Sequence, residues 1–279
     1  MNQLLAMPEV QSGAIPFVVA LAVALLLRPL ALTWSGLALA AGFYAAAYVI
    51  ESGFDFANPT STDKLLLAGL AAAGVGLIAD LLPQRRVLLI GLLALLGGAT
   101  GIWLVQPLLG REQGTALALL AAGAFAYPAW HAGWSGELRG DSLRSATAGW
   151  VLGLATAACV ILGASARLGQ LALALGVAAG AFWLLAVLIE QLRGGTLFAL
   201  PAALLGALLG LAGATYARLP WQALALLALV PVLARVPLPG GWPRWVRAIV
   251  LALITVPAGV IAVVLVTQQG GGSDPYGGY

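Results

Sequence analysis

Charge is what this sequence has least of. It holds 13 Lys plus Arg and 10 Asp plus Glu in 279 residues, 8% in all, where a soluble domain carries about 25%. With 62% hydrophobic residues beside that figure, a soluble globular protein is excluded. Cysteine is reduced to Cys159 and histidine to His131. A single cysteine allows no intramolecular disulfide and no thiolate metal centre, and a single histidine allows neither a zinc site nor bis-histidine haem. No P-loop, no paired acidic motif for Mg²⁺ and a diphosphate, and no basic run suited to nucleic acid occurs. Those absences set aside an ATPase, a lipid-linked transferase and a nucleic-acid-binding protein.

What is present is a series of long uncharged runs. They cover residues 10–27, 29–50, 65–79, 87–110, 113–136, 145–166, 168–189, 194–217, 219–234 and 248–273. A hydrocarbon core of about 30 Å needs about 20 apolar residues in helical form. The pattern therefore predicts an all-α, polytopic integral membrane bundle of about ten helices. The third run reaches span length only if Asp80 lies at a helix end, with Leu81 and Leu82 continuing it to Pro83. The ninth is the weakest, being short and carrying Pro231. Residues 1–269 read as one transmembrane domain, and 270–279, GGGSDPYGGY, as a flexible Gly-rich tail.

Counting basic residues in alternate loops orients the chain. One set of loops holds Arg28, Arg85, Arg86, Arg139, Arg144, Arg193, Arg235, Arg244 and Arg247, and the other holds Lys64, Arg111, Arg167 and Arg218. The richer set is expected in the cytoplasm, which places both termini outside the cell membrane. Ten runs also divide into 10–136 and 145–269, two five-helix halves that would be inverted relative to each other. No residue pattern common to the halves accompanies the even spacing.

The remaining polar groups limit the chemistry. Gly97 and Gly101, Gly149 and Gly153, Gly176 and Gly180, and Gly206 and Gly210 have the spacing of close helix contacts, although 36 glycines make such pairs common by chance. Tyr127, His131 and Ser135 share a helical face beside Trp130 and Trp134. His131 is the one candidate for holding a cofactor, as the axial ligand of a porphyrin-type pigment. It is read first as a hydrogen-bonding aromatic cap at the membrane interface, with no cofactor and no metal. Gly133-Trp134-Ser135-Gly136 has the form of an intramembrane serine protease turn, but no later histidine exists to serve it. Glu51, Asp80 and Glu190 stand at span ends, where pairing at the interface is expected, Asp80 with Arg85 and Arg86. Asp80, Gln106 and Glu190 are the candidates for transport or gating. Hydroxyls such as Thr100, Thr147, Thr156, Thr196 and Thr215 either line a path or bond to their own helices.

Three functions fit these features. The first is a ten-helix permease for an uncharged or amphipathic small solute. The second is a non-catalytic subunit or assembly factor of a larger membrane complex, with membrane protein partners. The third is a membrane enzyme, for which His131 is the only general base at hand.

Overall fold

The computed structural model describes residues 7–30, 33–54, 59–81, 85–163 and 165–270. Among them every regular element is helical. A π-helical turn, Val10–Ala14, leads into α1 (Ile15–Leu27), and a 3₁₀ turn, Trp34–Gly36, into α2 (Leu37–Glu51). There follow α3 (Ser61–Leu81), α4 (Arg86–Leu109), α5 (Gly114–Leu138), α6 (Ser142–Leu162), α7 (Ala166–Leu188) and α8 (Gly195–Tyr216). Two short helices, α9 (Trp221–Leu227) and α10 (Val230–Leu233), precede the long α11 (Arg244–Gly270).

Seven of these segments are long and apolar enough to cross a membrane: Val10–Leu27, α3, α4, α6, α7, α8 and Arg244–Gln269. The chain is thus a multi-pass helical membrane protein. The other three expected spans differ for separate reasons. In α5, 25 residues include Tyr127, Pro128, Trp130, His131 and Trp134, which dilute its apolar character while leaving its length. In α2, only 15 residues are α-helical, about 22 Å at 1.5 Å per residue. The ninth run is a broken helix, Trp221–Leu233, because Pro231 has no N–H to continue the ladder. The expected end of the third span at Leu82 and Pro83 and the tail from residue 271 lie outside the described residues.

Side-chain contacts sort the segment ends into two groups. At one end Glu51 pairs with Arg167, the Lys64 ammonium donates to the Trp103 carbonyl (3.2 Å), and Tyr216 Oη donates to the Leu104 carbonyl (3.2 Å). At the other, Glu137 pairs with Arg86 and Arg235, and Arg247 with Asp141. Successive segments therefore alternate in direction. The short ninth passage does so too, since Trp221 packs on Gly123 of α5 while Arg235 meets Glu137 at the opposite end. α11 runs parallel to α6, with Arg247 on Asp141 and Gly259 against Ala155. The chain enters at Val10 and leaves at Gly270 on the same side of the bundle.

Small residues set the helix spacing. A Cβ at Gly101 would lie 1.9 Å from the Ala124 carbonyl oxygen, and one at Gly97 would lie 2.4 Å from that of Pro128, so α4 and α5 touch backbone to backbone. Gly153 and Gly176 do the same for α6 and α7, where a Cβ on Gly153 would lie 2.5 Å from the Gly176 Cα and one on Gly176 2.6 Å from the Leu154 nitrogen. Such approach lets Cα–H groups meet carbonyl oxygens and supplies dispersion that lipid cannot offer. Gly180, by contrast, has no neighbour nearer than Trp150 Cβ at 4.0 Å.

The bundle is built around α8. Of its apolar stretch 89% is buried, against 33% for α4 and α11, so it has no lipid-facing side. Its Ala, Leu and Gly residues are apolar all round, as a helix enclosed by other helices requires.

Candidate functional site

Packing of α5 on α8 buries the predicted polar face. Tyr127, His131 and Ser135 all point inward, and His131 and Ser135 have almost no exposed surface. Tyr127 and His131 meet edge to face with ring centroids 4.7 Å apart. Trp130 and Trp134 lie on the outer side of the same helix, where Trp130 is exposed and donates to the Ala228 carbonyl (2.8 Å). That carbonyl sits at the α9–α10 break, so the indole replaces a lost helix bond. His131 is therefore not the interfacial cap that its tryptophan neighbours imply. The tryptophans form that cap, and the imidazole faces the protein interior at a similar height.

Neither imidazole nitrogen has a hydrogen-bond partner among the described residues, and neither does Tyr127 Oη. Thr156 Oγ1 and Thr196 Oγ1 are buried in the same condition. Beside the imidazole lies a cavity of about 20 Å³, lined by Ser135, Ser145, Gly149, Ala199, Ala202 and Pro231 among others. Ser135 donates to the Ala132 carbonyl (2.6 Å) and Ser145 to the Ser142 carbonyl (3.2 Å), which leaves both hydroxyl oxygens able to accept. The space suits one water molecule and is far too small for a porphyrin. Other hydroxyls serve their own helices: Thr100 bonds to Leu96 (3.0 Å), Thr147 to Leu143 (2.7 Å) and Thr215 to Leu211 (2.9 Å).

The three gating candidates are not brought together. Gln106 and Glu190 are exposed. Asp80 has a defined structural place, which is not the expected one beside Arg85 and Arg86. Its carboxylate accepts from the backbone N–H groups of Thr196 (2.9 Å) and Leu197 (3.0 Å), capping the N-terminus of α8 from α3. Arg86 is committed to Glu137 instead. The turn before α8 is held from two further sides, by Ser35 Oγ donating to the Arg193 carbonyl (2.6 Å) and by Gly194 N–H donating to Ser142 Oγ (2.9 Å). Gly195 there has φ +58, and a Cβ on it would fall 2.3 Å from the Asp80 carboxylate. Sequence reasoning missed this knot. Its one trace is Gly194-Gly195-Thr196 directly after Arg193, the composition of a helix start that needs a left-handed residue.

The remaining charges between Glu137 and Arg144 pair both locally and across helices. Asp141 caps α6 through the N–H groups of Leu143 (3.0 Å) and Arg144 (3.2 Å), then pairs with Arg144 and with Arg247 of α11. Arg144 also donates to the Ala234 (2.9 Å) and Val236 (2.8 Å) carbonyls. Glu51, at the other end, pairs with Arg167.

These features define an integral membrane protein of several long apolar helices with a polar, enclosed interior seam. No protein-family model matches the chain, and no curated protein matches it.

Proposed function

We propose that the protein is a small permease for an uncharged or amphipathic solute, with all ten segments crossing the membrane and both termini extracytoplasmic. The observation that carries this reading is the α5–α8 seam, where His131 and Tyr127 hold hydrogen-bonding atoms that no group among the described residues satisfies. Each such group costs about 1–3 kcal/mol if nothing meets it, so a bound water or solute is the natural partner. The seam carries no formal charge, which suits a neutral substrate. At about 20 Å³ it is closed, the state between openings to either side.

The helix arrangement supports the same reading. The second helix of the first half packs on that of the second half, α2 on α7, and the third on the third, α3 on α8, as two related halves would. The match is partial, since α1 also packs on α7 while α6 has no comparable interface with α2. On this view the Asp80 cap fastens the halves together at the arginine-rich, cytoplasmic end. Gln106 and Glu190 flank the path from outside the seam.

The test is purified protein screened by thermal shift against neutral and amphipathic compounds, followed by flux assays in proteoliposomes. At least one compound is expected to raise the midpoint and to move across the membrane. His131→Phe should abolish both effects while keeping a folded, monodisperse protein. Unrelated membrane subunits co-purifying in mild detergent, with no flux for any compound, would favour the complex-subunit reading.

A further inference from the structure

We propose that the groove between α4 and α5 binds a diacyl phospholipid with an anionic headgroup, its chains along the helices and its phosphate between Arg86 and Arg235. The site is separate from the α5–α8 seam and does not depend on a transported solute. The groove has a volume of about 440 Å³. Its floor is Ile90, Ala94, Ala129 and Gly133, and the exposed Ala126 and Trp130 along its α5 side open it to the outer surface of the bundle. Apolar floor and open side together describe a trough for acyl chains.

The head end is built from charge. Glu137 is bound by both guanidiniums, with Arg86 Nε donating to Oε1 (2.9 Å) and Arg235 lying 2.9 Å from Oε2. The cluster of two cations and one carboxylate carries a net positive charge. The Glu137 side chain is largely covered, at 14% exposure, whereas those of Arg86 and Arg235 remain 60% and 49% exposed. A guanidinium has five N–H donors, so each keeps several for a phosphate. The Arg235 guanidinium also lies 5.5 Å from the Trp134 ring centre, and Trp130 stands edge-on to Trp134 at 5.5 Å. The indoles mark the level at which headgroups begin, so chain trough and cationic head are at the heights a phospholipid requires. A choline headgroup would add a cation to this cluster, and a phosphatidylglycerol headgroup does not.

Native mass spectrometry of the full chain tests the site, with phosphatidylglycerol and phosphatidylcholine of identical chains supplied at equal mole fraction in detergent. The parent should retain phosphatidylglycerol preferentially, by about fivefold for each guanidinium engaged. Arg86→Gln combined with Arg235→Gln should bring the preference near unity. Gly133→Leu is the control should that variant fail to fold: it leaves every charge in place and fills the floor, where a Cβ already lies 3.5 Å from Ala94 Cβ. Retention of phosphatidylglycerol should fall in it. Equal retention of both lipids by the parent, or a preference unchanged in the arginine variant, overturns the proposal. So does displacement of the lipid by millimolar inorganic phosphate, which would mark a free-anion site, or a lipid-free dimer closed over this face.

Discussion

Two backbone N–H groups hold the Asp80 carboxylate, and they belong to a helix that begins 115 residues later in the chain. A cap of this kind is worth about 1–2 kcal/mol, because its loss leaves buried donors at a helix start unanswered. Asp80→Ala should lower unfolding stability in detergent by that amount, and Asp80→Asn by about half, since an amide keeps one acceptor. Equal stability of Asp80→Ala and the parent would dismiss the cap. Gly195→Ala should be at least as damaging, because φ +58 disfavours a side chain and its Cβ would collide with the same carboxylate. At this scale the sequence is only partly readable. The i, i+4, i+8 spacing of Tyr127, His131 and Ser135 does reveal a shared face, and the flanking tryptophans reveal its height in the membrane. Neither reveals which way that face points. Rotation about the α5 axis is fixed by Gly97 and Gly101, which draw α4 against α5 at Ala124 and Pro128, and those contacts are not local in sequence.

Helices were legible where charge bounds them and illegible where geometry does. Arg86, Ser142, Ala166 and Arg244 all open helices within four residues of the boundaries that charge spacing predicts. Proline divides differently. Pro107, Pro128, Pro201 and Pro257 lie inside continuous helices, whereas Pro231 coincides with a break. At that break Trp130 provides a donor for the Ala228 carbonyl. Trp130→Phe should therefore loosen the α9–α10 passage, read as faster hydrogen exchange at residues 228–234 than in the rest of the bundle. Unchanged exchange there would show that the indole bond is dispensable. The glycine pairs permit a sharper comparison. Gly153→Ala forces a Cβ onto Gly176 and should cost about 1–3 kcal/mol, whereas Gly180→Ala meets open space and should be neutral or stabilising. Equal effects would mean that the α6–α7 approach is looser than described. The same Gly-xxx-Gly spacing thus yields opposite outcomes, which is why spacing alone could not identify the contact.

For the molecule as a whole, alternation of the segments puts entry and exit on one side, and the arginine-rich loops on the other. Reporter fusions after Tyr279 and cysteines introduced at Ser52 should both read extracytoplasmic, with a cysteine at Arg139 reading cytoplasmic. A cytoplasmic reading at Tyr279 alone would remove the ninth passage from the membrane. Charge-free runs made the bundle recognisable from composition, but the enclosure of α8 was not, since its sequence is no more apolar than that of helices facing lipid. That enclosure has a consequence for how the protein is made. The central helix is the eighth to be synthesised, and the carboxylate that caps it is finished long before. At about 5–20 residues per second, the ribosome needs about 6–23 s to pass from Asp80 to Thr196. Until then the two N–H groups that answer Asp80 do not exist, so the bond that ties the third helix to the axle of the bundle is among the last that the growing chain is able to close.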